Sequence, residues 1–207
     1  MAENDTVERL RNPRQLFVLS GPSGVGKNTL ADRLIEAGQA VRAITATTRA
    51  PKPGEADGRD YYFLSDDEFR RWIREGRLLE RASYLGNSYG TPVASVNRAA
   101  DSGLPVVLTI EVDGGLQIKQ RHPEATLIFI EPPSMDELKR RLRGRKREDA
   151  QSMEKRFRRA QEEMKYAVRY DFRIVNDDLG KAAAELHKII AGRYVPTKGN
   201  QHKEGNP

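Results

Sequence analysis

Gly21-Pro22-Ser23-Gly24-Val25-Gly26-Lys27-Asn28-Thr29 decides how the rest of this chain is read. Ahead of it runs QLFVLS, residues 15–20, an apolar segment of the length of a buried strand. Behind it, residues 27–37 read as a helix that stops at Gly38. Strand, glycine-rich loop, lysine and helix in that order form a cradle for phosphate. The glycines let backbone N–H groups turn inward, the helix N-terminus adds partial positive charge, and Lys27 reaches the β/γ-phosphates as a point charge. Gly21, Ser23, Gly24, Val25, Gly26, Lys27, Asn28 and Thr29 are therefore the expected triphosphate-binding residues. One position departs from the pattern G-x-x-x-x-G-K-[S/T]: Asn28 stands where a Ser or Thr meets Mg²⁺. Thr29 is next door, but one step along a helix turns a side chain by about 100°.

Working outward, PVVLTIEV (residues 105–112) and TLIFIE (residues 126–131) read as further buried strands, and RIVN (residues 173–176) as a short one. Ser134 with Glu137 has the spacing of a capping box opening a helix to about residue 143, and residues 179–190 form an amphipathic helix. Alternating strands and helices imply a parallel sheet covered on both faces, an α/β fold. Two stretches break the alternation. Residues 44–93 are richer in Thr, Gly, Pro and Tyr and contain one clear helix, residues 66–75, with Ser65 and Glu68 as capping box and Gly76 as stop. Residues 141–164 are helical and strongly basic. The expected division is a core of residues 14–43, 94–140 and 165–194, insertions at 44–93 and 141–164, and polar, flexible tails at 1–13 and 195–207.

Composition narrows the function. With 207 residues the chain can bury one α/β core. There is no cysteine, hence no disulfide or thiolate, and no run near the ~20 apolar residues that span a bilayer. A cytoplasmic protein with no membrane partner is expected. The formal charge is +6, yet residues 139–173 alone hold 14 Lys+Arg against 6 Asp+Glu, more than the whole excess. Basic charge gathered in one segment suits a polyphosphate better than a nucleic acid backbone, which calls for a basic stripe with aromatics.

The intervening residues are specific. Thr47-Thr48-Arg49-Ala50-Pro51-Lys52-Pro53-Gly54-Glu55, then Gly58 to Phe63, then Glu80 and Gly86-Asn87-Ser88-Tyr89-Gly90-Thr91, resemble the guanylate kinase family. The resemblance continues through Glu111, Pro132-Pro133-Ser134, the arginines Arg141, Arg145 and Arg156, and Val175-Asn176-Asp177-Asp178, in order over about residues 14–194. It implies a P-loop NTPase fold: a three-layer α/β/α parallel sheet, residues 44–93 as a small α+β monophosphate-binding insertion and residues 141–164 as a helical lid. It implies phosphoryl transfer from Mg·ATP to GMP or dGMP, with Mg²⁺ accompanying ATP and no covalent enzyme intermediate. Arg49, Tyr61 and Tyr89 would hold the GMP phosphate, with Lys52 at a usual arginine position. Thr45, Glu80 and Thr91 would contact guanine or the nearby phosphate. Arg141, Arg145 and Arg156, with Lys27 and Arg49, would stabilise the transferring group. Asn176 would lie near the adenine, and Glu111 near GMP and the metal at a usual aspartate position. Asn28 and Glu111 are the candidates to reach Mg²⁺ through water. Thr109 stands where an acidic residue is common.

The chemistry matches these residue types. Guanine offers N1–H and N2–H₂ donors beside O6, so Glu80 can accept from both donors while a hydroxyl such as Thr91 donates to O6. Adenine would leave such a site unpaired. GMP phosphate, with a second pKa near 6, is already nucleophilic at neutral pH, so positioning and charge neutralisation suffice. Three other readings compete: a phosphopeptide-binding module of the same family, a nucleic-acid binder and a kinase for another phosphate ester. The composition suits a monomer and a homo-oligomer alike.

Overall fold

A computed structural model describes residues 9–84, 86–143 and 150–194, the side chains of residues 150–152 excepted. The first half of the chain contains β1 (Leu16–Ser20), α1 (Lys27–Glu36), β2 (Val41–Arg42), β3 (Ala46–Thr47), β4 (Tyr62–Phe63), α2 (Asp66–Arg74), β5 (Leu78–Tyr84) and β6 (Asn87–Pro92). There follow α3 (Val93–Ala100), β7 (Val106–Thr109), α4 (Val112–Arg121), β8 (Thr126–Glu131), α5 (Met135–Arg143), α6 (Ala150–Met164), β9 (Phe172–Val175) and α7 (Leu179–Arg193).

β1 explains the main sheet. Leu16, Phe17, Val18 and Leu19 are all fully buried, as a strand covered on both faces requires. Successive side chains alternate between the faces. Phe17 and Leu19 join Ile128 and Ile130 of β8 beneath α1, α5 and α7, while Leu16 and Val18 join Leu127 and Phe129 beneath α3 and α4. The result is three layers around a parallel sheet of order β2-β7-β1-β8-β9. The chain leaves β1 for β2 on one side and reaches β8 on the other, so the sheet's crevice opens at the carboxyl end of β1. The glycine-rich loop sits there.

A second sheet, β4-β3-β6-β5, is mostly antiparallel and stands beside the first. Its small core is Ala46, Phe69 and Leu78, with Trp72, Tyr62 and Ile73 against it. Ser65 and Glu68 complete both arms of the expected capping box on α2. At α5 only one arm forms. Ser134 Oγ accepts from the Glu137 amide, but the Glu137 carboxylate binds Arg140 and Arg141 instead, which hold it well below the usual carboxylate range, at about 2.

The strand expected over residues 105–112 is shorter. β7 ends at Thr109, and Glu111 becomes the residue before α4, a helix the sequence reading left unassigned, as it did α3. The Gly115 amide donates to the Glu111 carbonyl, and Asp113 in the first turn complements the helix N-terminus. Among the described residues no helix is long and apolar enough to cross a membrane.

Gly21 fixes how closely the loop leaves the sheet. Its φ is +141°, and a Cβ there would lie 2.2 Å from the Ile130 carbonyl oxygen. Gly21→Ala must push two backbones apart, and a destabilisation of roughly 2 kcal/mol or more is expected. A thermal unfolding curve checks this; an unchanged midpoint would show that the loop has room to relax.

Candidate active site

The phosphate loop is braced from below. The Asn176 side chain, buried at the end of β9, donates from Nδ2 to the Val25 carbonyl at 2.7 Å. It sits so close to Gly26 (φ +93°) that a Cβ there would meet Nδ2 at 2.5 Å. Asn176, expected near the adenine, gives its side-chain amide to the loop backbone. Lys27, at the first turn of α1, folds its ammonium back onto the Gly21 and Pro22 carbonyls, at 2.5 and 3.2 Å. The charge is thus held on the loop it serves.

Of the expected lid arginines, one meets this loop and a second reaches the Asn176 backbone beside it. Arg156 of α6 donates from Nη2 to Ser23 Oγ at 2.7 Å. Arg141 of α5 donates to Glu137 and, from Nη1, to the Asn176 carbonyl at 3.0 Å. Arg145 lies outside the described residues.

Across a cavity of about 720 Å³ stands a second wall, built on the smaller sheet. The cavity is lined on one side by Gly24, Gly26, Lys27, Asn28 and Thr29, and on the other by Thr45, Arg49, Lys52, Tyr61, Glu80 and Tyr89. Asn28 and Thr29 are exposed to it at the start of α1. Arg49 donates to both oxygens of Glu55 at 2.9 Å and lies 5.3 Å from the Tyr61 ring centroid. Burial pushes the Tyr61 phenol above its ordinary pKa, so it remains a hydrogen-bond donor; its ring packs edge-on against Tyr89 at 6.4 Å. Lys52 is exposed, and its backbone amide donates to Glu55. Glu55 closes the Thr47–Glu55 motif, but the sequence assigns it no role. Its signal was its place in the same Arg49–Glu55 loop.

Glu80 is the most unusual group. It is 3% exposed, and Thr91 Oγ1 donates to its Oε1 at 2.7 Å. Burial first, and the nearby Glu111 charge last, push its pKa from the ordinary 4.5 to about 7, against the lowering effect of the Thr91 hydrogen bonds. Gly114 of α4 makes room for it, since a Cβ there would stand 2.4 Å from Oε2. The Thr91 hydroxyl, expected to donate to the base, donates to Glu80 in this structure. Glu111, at the head of α4, has an Oε2 that is buried without a hydrogen-bond partner. Arg159 Nη2 is 3.8 Å from that oxygen, an ion pair too long for a hydrogen bond.

A loop shaped to wrap phosphate at the open end of a parallel sheet, facing a second polar wall across one cavity, places the molecule among the P-loop kinases. The guanylate kinase family model matches residues 13–193. The guanylate kinase of Rubrobacter xylanophilus is 46% identical over 183 residues, covering 86% of this chain and 96% of that protein. That of Synechocystis sp. is 49% identical over 177 residues, covering 85% and 93%. The crystal structure of guanylate kinase from Anaplasma phagocytophilum superposes with a TM-score of 0.71 at 33% identity, covering 88% of this chain and 87% of that one. The chain belongs to the guanylate kinase family.

The Glu80 environment has a measurable sign. Its folded-state pKa lies above the ordinary value, so the folded protein binds the proton more tightly than the unfolded chain does. Stability contributed by the protonated form is full below about 4.5 and is lost as pH rises through about 7. Glu80→Gln lacks this loss, so its melting temperature relative to the parent protein is expected to rise between pH 5 and pH 8. A difference that does not change with pH would show that Glu80 is not held out of water.

Proposed function

We propose that this kinase moves the γ-phosphoryl group of Mg·ATP directly in line onto GMP or dGMP, giving ADP and GDP. The observation that carries the reading is the buried Glu80 carboxylate, held by Thr91 and facing the same cavity as the phosphate loop. Such a carboxylate offers two acceptor oxygens to the paired N–H donors of guanine. AMP, which presents an acceptor at N1, would leave it unpaired in a buried site.

The phosphate of GMP would lie against Arg49, Tyr61, Tyr89 and Lys52, with Thr45 beside it. Glu55 would keep Arg49 extended beneath that phosphate, since it binds the guanidinium through both oxygens. Lys27, Arg141 and Arg156 would spread the charge that builds on the transferring group, with Arg145 as a further lid cation. No general base is needed for a dianionic acceptor.

The Mg²⁺ that accompanies ATP fits the residues present. Glu111, which lines the cavity together with Asn28, keeps a buried carboxylate oxygen that accepts no hydrogen bond and has only the long ion pair to Arg159. Asn28 and Glu111 would hold the ion through water, and the ion would supply neutralisation of the phosphate oxygens. The smaller sheet with residues 44–93, and the lid that contains α6, are read as parts that close over the phosphate loop and exclude water.

A coupled ADP-release assay across GMP, dGMP, AMP, CMP and UMP tests the reading. GMP and dGMP are expected to turn over and the others to lag by roughly a thousandfold or more in kcat/KM. Comparable rates with AMP would defeat it. Lys27→Ala is expected to lower kcat by roughly a hundredfold or more with the fold intact by circular dichroism. A near-normal kcat would remove Lys27 from the mechanism.

A further inference from the structure

Helix α6 touches both walls of the cavity through two arginines on one face. Arg156 reaches Ser23 on the phosphate-loop wall. Arg159, three residues on, points to the other side. Its Nε donates to Glu163 Oε1 at 2.8 Å, its Nη2 lies 3.8 Å from Glu111 Oε2, and its guanidinium carbon stands 4.9 Å from the centre of the Tyr84 ring. Tyr84 is the last residue of β5, four positions after Glu80 on the same strand, and it lines the cavity. The mechanism above uses neither Arg159 nor Tyr84.

The geometry makes Arg159 a joint. Glu163 is buried, and it fixes the guanidinium plane by its Nε edge. One face of that plane is then left for the Tyr84 ring and one edge for Glu111. A displacement of β5 on the acceptor wall therefore moves Arg159, and Arg156 one turn away on the same rigid helix must follow over the phosphate loop.

We propose that Arg159 is a positioning residue that couples the two substrate sites. Filling of the GMP wall fixes Tyr84, Tyr84 and Glu111 fix α6 through Arg159, and α6 sets Arg156 over the triphosphate. The proposal rests on the guanylate kinase reading and adds a thermodynamic claim to it. GMP must tighten the binding of the triphosphate, and by reciprocity the triphosphate must tighten GMP by the same factor.

The test is calorimetric titration of the full chain with a non-hydrolysable ATP analogue and Mg²⁺, with and without saturating GMP. The ratio of the two Kd values is the coupling factor. In the parent protein it is expected to be on the order of tenfold. In Arg159→Gln and in Tyr84→Leu it is expected to fall by at least about threefold, the size of one partly exposed cation–π contact. The double variant is expected to fall no further, because the two residues act through one contact. A residue that serves only to hold the fold would lower the melting temperature and leave the ratio alone. An unchanged ratio in Arg159→Gln would overturn the proposal. Should that variant fail to fold, Tyr84→Leu, which keeps the Arg159–Glu163 pair, decides by the same ratio. A parent protein that binds GMP without tightening the analogue overturns the coupling alone, whereas one that does not bind GMP overturns the guanylate kinase reading beneath it.

Discussion

A carboxylate held out of water at the seam between two sheets is the constraint around which this molecule is arranged. Burying Glu80 is unfavourable unless something binds it, and Thr91 supplies hydrogen bonds from its hydroxyl and its backbone. The rest of the environment is shaped to tolerate it. Gly114 of α4 leaves space for Oε2, and the pairing of β5 with β6 places Glu80 opposite Thr91, beside a register shift between Leu78 and Glu80. On the proposed reading, guanine, with two adjacent N–H donors, would give the buried carboxylate the partners it lacks, and its burial would become selectivity for one base.

A second theme is the storage of positive charge. Arginines crowd this cavity, and bare cations so close would repel one another. Several of them are held by a carboxylate: Arg49 by Glu55, Arg141 by Glu137, Arg159 by Glu163. Lys27 is held by two loop carbonyls. Such partners offset part of that repulsion and fix where each cation sits. The pairs are also of unequal kind. Glu137 is open to solvent contact with two arginines and stays fully ionised, whereas burial pushes Glu163 above the ordinary carboxylate range even beside Arg159.

The main sheet was legible because its strands are short apolar runs flanked by punctuation. β8 is the expected segment 126–131 to the residue, β1 begins one residue later than expected, and β9 is shifted by one residue toward the N-terminus at both ends. Boundaries failed where an apolar run continues through a change of structure. Val112 extends the run of β7 but begins α4, and Val93 directly follows β6 yet begins α3. No local signal separates a strand valine from a helix valine there; tertiary burial decides. At the site, residue types and spacing identified the walls of the cavity. They could not show what each side chain does with its hydrogen bonds. Asn176 braces the loop, Thr91 serves Glu80, and Glu137 serves two arginines in place of its own cap. Tyr84 and Arg159 escaped notice, and Glu55 stood in the motif without a role, because each looks, in sequence, like an ordinary surface residue, and only folding brings its partner near.

The account turns on Glu80 reading both N–H donors of guanine, and IMP separates those donors, since it keeps N1–H and O6 but lacks the 2-amino group. The most direct measurement is kcat/KM for GMP, IMP and AMP in the parent protein and in Glu80→Gln. The account requires GMP above IMP above AMP in the parent protein, each missing donor weakening the acceptor by about tenfold or more, and a collapse of the GMP-to-IMP ratio in the variant. Equal use of GMP and IMP by the parent protein, or a ratio that survives Glu80→Gln, would contradict it.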